Sequence, residues 1–117
     1  MNVNEYQLAA HSFADYTMPF VTGKENVRID YCYPVMGLAE EAGEVSGKFA
    51  KAVRDNDGVI DEQRRTEIIK ELGDVCWFVA ELCTLLNVGL EEVMQKNIDK
   101  LTSRRERNVI HGSGDNR

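Results

Sequence analysis

The stretch "GLAEEAGEVSGKFAKAV", Gly37–Val53, has apolar residues at the three- to four-residue spacing of an amphipathic helix. The same stretch places Glu40, Glu41 and Glu44 within little more than one helical turn. Its predicted buried stripe consists of Leu38, Ala42, Val45 and Phe49. At about 100° per residue, Glu41 and Glu44 project together from the edge of that stripe, whereas Glu40 lies nearer to water.

The stretch "KELGDVCWFVAEL" repeats this arrangement on a second helix, where Glu71 and Asp74 share a flank with Phe78. The stripe predicted for this helix consists of Ile68, Leu72, Val75, Val79, Cys83 and Leu86. Each helix therefore carries a carboxylate pair at positions i and i+3. Only the short "DNDG" connection and its flanks separate the helices, so antiparallel packing would turn the two pairs toward each other.

Four converging carboxylates raise one another's pKa unless a cation lies between them. Oxygen-only ligation suits a hard ion such as Mg²⁺ or Mn²⁺. The alternative is a solvated acidic face on which Glu44 pairs with Lys48 at i, i+4. A di-iron bundle needs Glu-x-x-His pairs, and neither His11 nor His111 has that spacing.

A chain of 117 residues with 43% hydrophobic content fits one domain. Helical periodicity without sustained strand alternation predicts an all-α fold. Asn2 and Glu5 are placed as a capping box, and Asp61 as the cap of the third helix. The expected segments are helices over Asn4–Tyr16, Pro34–Arg54, 62–Leu86 and Leu90–Asn108, with a long loop over Thr17–Tyr33. The expected single domain over 1–117 comprises 1–33 (helix and loop), 34–108 (the three remaining helices) and 109–117 (flexible tail).

The net charge of −6 argues against nucleic acid or an anionic membrane as a partner, because the long-range field would repel both. The beginning, "MNVNEYQLAA", lacks the basic and apolar regions of a secretory signal, and no stretch approaches the ~20 apolar residues that span a bilayer. The three cysteines have no metal-ligand spacing. We therefore expect a cytoplasmic protein with reduced thiols.

On the fourth helix, Asn97, Lys100 and Arg104 recur at i, i+3 and i+7 and form one polar column beside the apolar residues. Two cations close to a metal site could hold a polyphosphate. Alternatively, Lys100 and Arg104 lie along apolar surface and pair with nearby acids.

The segments "EEAGE", Glu40–Glu44, and "ELGD", Glu71–Asp74, match the EExxE…ExxD signature, and the chain resembles the MazG-like all-α nucleoside triphosphate pyrophosphohydrolases. The likeness also includes "YPVMGLAEEAGEV" and "NIDKLTSRRERNVIHGSGDNR", and it extends over most of 33–117.

The resemblance implies a Mg²⁺-dependent enzyme that cleaves a nucleoside triphosphate between its α and β phosphates, in nucleotide-pool control or removal of noncanonical nucleotides. It implies that Glu40 orients or deprotonates the attacking water, with Glu41 beside it at the catalytic centre. The implied metal ligands are Glu41, Glu44, Glu71 and Asp74. The implied phosphate-binding residues are Asn97, Lys100 and Arg104, which match N-x-x-K-x-x-x-R.

Further candidates for substrate binding are Trp77, Tyr33, Asn116 and Arg117. Trp77 either stacks on a base or packs in a subunit interface. Polar interruptions of the apolar stripes, together with the resemblance, predict a bundle completed by dimerisation, as a homodimer or a tetramer. The other functions left open are a non-catalytic module that binds nucleotide or protein, and phosphoribosyl-ATP hydrolysis.

Overall fold

A computed structural model describes residues 1–16 and 31–117, and these residues contain four α-helices and no β-strand. The helices are α1 (Val3–His11), α2 (Cys32–Asp55), α3 (Glu62–Leu85) and α4 (Leu90–Glu106). The predicted all-α fold is therefore confirmed. Most of the loop predicted over Thr17–Tyr33 lies outside the described residues.

The start of α1 is the predicted capping box: the Asn2 side chain accepts from the Glu5 backbone N–H, and Glu5 accepts from the Asn2 N–H, both at 2.9 Å. The end of α1 was predicted too late, because the helix stops at His11 and not at Tyr16. There the Ser12 hydroxyl donates to the Ala9 carbonyl at 2.6 Å. This side-chain bond satisfies a terminal carbonyl that a continuing helix would use.

The turn between α2 and α3 explains why these helices run antiparallel. Asp57 and Gly58 have φ angles of 52° and 78°, in the left-handed region, and the Gly58 N–H donates back to the Ala52 carbonyl at 3.0 Å. Asp61 then caps α3 as predicted, accepting from the Arg64 N–H at 2.9 Å. Since the chain reverses within a few residues, α2 must lie alongside α3.

The face of α2 that packs on α3 differs from the predicted stripe. The buried residues of α2 are Pro34, Gly37 and Ala52. Of the predicted stripe, Ala42 and Phe49 are exposed, the latter by 47%. The helix is rotated because the Phe78 ring of α3 requires a glycine opposite it: a Cβ at Gly37 would lie 2.2 Å from the ring carbons. Small residues, not the largest apolar ones, therefore face α3.

Helix α1 packs against both α3 and α4. Its residue Ala10 shares a buried cluster with Ala80, Cys83 and Leu90. The Gln7 amide bridges the turn before α4, donating to the Val88 carbonyl at 3.0 Å and accepting from the Leu90 N–H at 2.7 Å. This amide takes the place of a side-chain cap at Gly89, which offers none. The start of α4 is thus fixed against α1 and α3.

Large apolar side chains remain exposed on all four helices of the single chain, and most of them lie on α2 and α4. Those on α2 are Val35, Met36, Phe49 and Val53, and those on α4 are Val93, Met94, Ile98 and Leu101. Within the part of the chain that the structure describes, no single helix has the length and apolarity to cross a membrane; α3 and α4, bent by 102°, pass that test only as a pair.

The close approach at Gly37 predicts opposite effects for two glycine substitutions on one helix. Gly37→Ala should lower the free energy of unfolding by about 1–3 kcal/mol, because the added methyl must displace the buried Phe78 ring. A Cβ added at Gly43 would meet no neighbouring group within 4 Å, so Gly43→Ala should raise stability by up to about 1 kcal/mol through helix propensity. Urea denaturation of both variants measures these changes, and a loss of equal size in both would contradict the packing.

Candidate metal and substrate site

Three acidic residues meet where α2 crosses α3. Glu41, Glu71 and Asp74 each offer one carboxylate oxygen, and these oxygens lie within 4.8 Å of one another. Glu41 comes one turn after Gly37 on the face that packs on α3, and Asp74 comes one turn before Phe78. The Gly37–Phe78 contact therefore fixes the separation of the acidic residues. We call Glu41, Glu71 and Asp74 the acidic cluster.

The acidic cluster is electrostatically unfavourable without a cation. Burial raises the pKa of Glu41 above its ordinary value, and the negative charges of four nearby carboxylates, led by Asp74, raise it further. The others are Glu40, Glu71 and Glu44. A divalent cation would relieve this repulsion, and its preferred ligands are the carboxylate oxygens present here. The donor set therefore fits Mg²⁺ or Mn²⁺.

Glu40 and Glu44 lie beside the acidic cluster and are not part of it. Both side chains are exposed, although the charge of each reaches Glu41. Three of the four acids expected to ligate a metal thus converge in the single chain, and Glu44 is the exception.

Lys48 also lies in this region. The sequence predicted for it only an ion pair with Glu44 on the surface of the helix. Its ammonium lies 3.3 Å from a Glu71 oxygen and 3.6 Å from a Glu67 oxygen, across the α2–α3 interface. The bond to Glu71 is the main cause of the raised pKa of Lys48. Spacing could have indicated this position, since Lys48 follows Glu41 by seven residues and must share its helix face.

Aromatic rings lie on the side of the acidic cluster that is opposite to Lys48. The ring of Tyr33 is 5.7 Å from that of Phe78 and 5.1 Å from that of Tyr16, measured between centroids. Tyr33 remains 45% exposed. A partly open ring held about two helical turns from Glu41 offers a stacking surface to a planar ligand.

Trp77 lies on the side of α3 that faces α1. Its indole N–H donates to the Ala10 carbonyl at 2.9 Å, and its ring packs edge-on against Phe78. The ring therefore has a packing role within the chain that neither of its two predicted uses included. Binding of substrate by Trp77 stays a prediction.

The cations of α4 are not brought to the acidic cluster of their own chain. Helix α4 packs against α1 and α3 and makes no comparable contact with α2. Arg104 is only 5% exposed; one of its guanidinium nitrogens donates to the Asp115 carbonyl at 2.7 Å. Lys100 lies 3.6 Å from the Asp115 carboxylate, and Asn97 is exposed on the same helix. Arg104 is therefore buried within the single chain, and phosphate binding by Asn97, Lys100 and Arg104 stays a prediction.

The segment after α4 folds back on itself. Arg117 donates through its guanidinium to the carbonyls of Val109, Ile110 and Gly114, and Arg107 donates to the Arg117 carbonyl at 2.8 Å. The charges of Arg104 and Lys100 lower the pKa of Asp115, the first through a side-chain hydrogen bond. Asn116 is exposed beside this turn. Nucleotide binding by Asn116 and Arg117, and the flexibility expected of 109–117, remain predictions.

Comparison with known proteins identifies the family of the chain. The chain is 46% identical to the Gene 37 protein of Mycobacterium phage L5 over 117 residues, which is the full length of both. It is 37% identical to the Uncharacterized protein YvdC of Bacillus subtilis (strain 168) over 78 residues, 59% of this chain and 70% of that protein. No solved structure matches. Residues 35–109 match the MazG nucleotide pyrophosphohydrolase domain, and the chain therefore belongs to this family.

Proposed function

We propose that the protein is a Mg²⁺-dependent nucleoside triphosphate pyrophosphohydrolase that releases a nucleoside monophosphate and pyrophosphate. The observation that carries the proposal is the convergence of Glu41, Glu71 and Asp74 within 4.8 Å on the segment that matches the family. A purely solvated acidic face would gain nothing from packing these side chains together against their mutual repulsion.

Glu41, Glu71 and Asp74 would hold the cation, with Mn²⁺ as an alternative to Mg²⁺. When bound, the cation supplies charge that neutralises phosphate oxygens and favours ionisation of water. Glu44, exposed one turn along α2 from Glu40, would complete the ligand set after a change of side-chain rotamer. Glu40 would orient the attacking water and accept its proton, since its carboxylate is exposed beside the acidic cluster and is not one of its members.

Tyr33 would provide the stacking surface for the nucleobase. Its ring is held by Phe78 and Tyr16 and still presents an open face. Because every base has a π-face, this contact binds nucleotides in general without selecting one base.

The active form would be a homodimer or a dimer of dimers. The exposed apolar side chains of α2 and α4 offer area for burial between chains. Asn97, Lys100 and Arg104 lie on a helix that packs on α1 and α3 and makes no comparable contact with α2 of its own chain, so an interface between chains would bring them to an acidic cluster more readily. The predicted cytoplasmic location stays a prediction.

The reaction is tested by incubating a panel of nucleoside triphosphates with Mg²⁺ and assaying pyrophosphate against orthophosphate. At least one triphosphate should yield pyrophosphate and the monophosphate in equal amounts. Glu71→Gln should lower kcat by about two orders of magnitude or more, because it removes charge from the acidic cluster. The control is Glu106→Gln, an equal charge change on α4. Orthophosphate as the sole product would refute the assigned bond cleavage.

The raised pKa of Glu41 predicts a pH-dependent stability difference. The folded chain favours the protonated acid, so this stabilising contribution is full below the ordinary value of 4.5 and is lost as pH rises through the higher folded-state pKa. In metal-free buffer, Glu41→Gln should therefore melt above the wild type at neutral pH, and the gap should close below pH 4.5. Mg²⁺ should raise the melting temperature of the wild type and leave that of the variant unchanged. A gap that does not depend on pH would argue against repulsion at Glu41.

Arg104 and Lys100 should differ in their structural roles. Arg104→Ala should lower the free energy of unfolding by about 1–3 kcal/mol, because Arg104 is buried and its removal leaves hydrogen-bonding groups unpaired. Trypsin should then cleave faster after Arg105 or Arg107, beside the loosened segment. Lys100→Ala should keep the stability of the wild type, since Lys100 is 42% exposed, and should raise KM if this side chain binds phosphate. Equal losses of stability in both variants would contradict this division.

A further inference from the structure

A second polar site lies between α2 and α3, toward the turn that connects them. This cleft has a volume of about 240 Å³. Its lining side chains are Lys48, Lys51, Asp55, Gln63, Arg64 and Glu67. None of these residues was assigned a role in substrate binding from the sequence.

The two acids of the cleft already have cationic partners. Asp55 is bound by Arg54 through two hydrogen bonds of 2.6 Å, and Arg54 is not a lining residue. Glu67 accepts from the Gln63 amide at 3.3 Å and lies 3.6 Å from Lys48. The negative charge of the lining is therefore largely compensated before any ligand enters.

The cations of the cleft retain free donors. Lys51 makes no ion pair among the described residues, and Lys48 shares its three N–H groups between two carboxylates. Arg64 pairs through one guanidinium nitrogen with Asp61, which leaves other guanidinium N–H groups for a ligand. The cleft thus has donors for an anion with several oxygens, and phosphate groups match such donors well.

Lys48 connects this cleft to the acidic cluster, since it lines the cleft and lies 3.3 Å from Glu71. With a rise of about 1.5 Å per residue, Lys48 and Lys51 lie roughly 10 and 15 Å beyond Glu41 along α2. Tyr33 lies roughly 12 Å from Glu41 in the opposite direction. Aromatic, acidic and cationic side chains therefore follow one another along a single helical hairpin.

We infer that the cleft of Lys48, Lys51 and Arg64 is the subsite for the β and γ phosphoryl groups, which leave as pyrophosphate. This inference rests on the proposed function and orients the substrate within it. The nucleobase lies toward Tyr33, the α phosphate at the acidic cluster, and the pyrophosphate part toward the α2–α3 turn.

The subsite has a defined task in the hydrolysis. The water oxygen bonds to the α phosphorus, and the bond from that phosphorus to the bridging oxygen breaks. The bridging oxygen keeps the electron pair and leaves on pyrophosphate, while the water proton passes to the base assigned above. Lys48, Lys51 and Arg64 stabilise the charge that develops on the leaving group.

Calorimetric titration of inorganic pyrophosphate, in buffer with Mg²⁺, tests this subsite. Lys51→Gln and Arg64→Gln should each weaken pyrophosphate binding by about three- to tenfold. Arg64→Gln keeps the cap of α3, because Asp61 accepts that bond from the Arg64 backbone N–H. Lys96→Gln is the matched control, an equal charge change at an exposed side chain of α4, and should leave the affinity unchanged.

The affinity for the nucleoside monophosphate provides a second readout, because general unfolding would weaken this binding as well. The monophosphate lacks the β and γ groups, so its affinity should be the same in Lys51→Gln, Arg64→Gln and the wild type. Equal weakening of both products would show a structural defect and overturn the subsite, as would unchanged pyrophosphate affinity in both variants. A wild type that binds pyrophosphate in this cleft but hydrolyses no triphosphate would overturn the proposed function and leave the cleft's affinity for pyrophosphate standing.

Discussion

The contact between Gly37 and the Phe78 ring sets the geometry on which the site depends. Only a residue without a Cβ permits this approach, since an added methyl would lie 2.2 Å from the ring. The ring cannot easily move, because Tyr33 and Trp77 pack against it on two sides. Glu41 and Asp74 each lie one turn from this contact, so the distance between the helices there becomes the distance between their carboxylates.

Holding the acidic cluster together costs stability, and the hairpin compensates with interactions further along it. The Asp61 cap, the left-handed turn at Asp57 and Gly58, and the burial of Ala52 and Ile68 keep α2 and α3 together at the other end. Lys48 partly neutralises Glu71. Burial, and then the charges of the nearby carboxylates, raise the pKa of Glu41, and a cation that binds beside Glu41 gains energy by relieving this repulsion.

Capping residues in the sequence predicted the helix starts well. The apolar stripe assigned to α2 predicted its packing poorly. Asn2 with Glu5, and Asp61 alone, marked helix starts because capping depends on residues three positions apart. The buried face of α2 was misassigned because the largest apolar side chains were placed inward. The true face carries Gly37, Glu41, Lys48 and Ala52, where helix contact and chemistry demand small or charged residues. The convergence of Glu41 with Asp74 followed from the spacing of the acids on both helices, whereas the burial of Arg104 depends on tertiary contacts that no local spacing encodes.

This rotation of α2 has a consequence for assembly. When small and charged residues face α3, large apolar residues such as Phe49 and Val53 must face away from it. A lone chain gains little from such an outward face, whereas a second chain can bury it. The same chain keeps its α4 cations away from its own α2 and binds them to Asp115. A partner chain that covers the outer face of α2 would account for both features. Within one chain, the cations that lie near the acidic cluster would then be those of the α2–α3 hairpin.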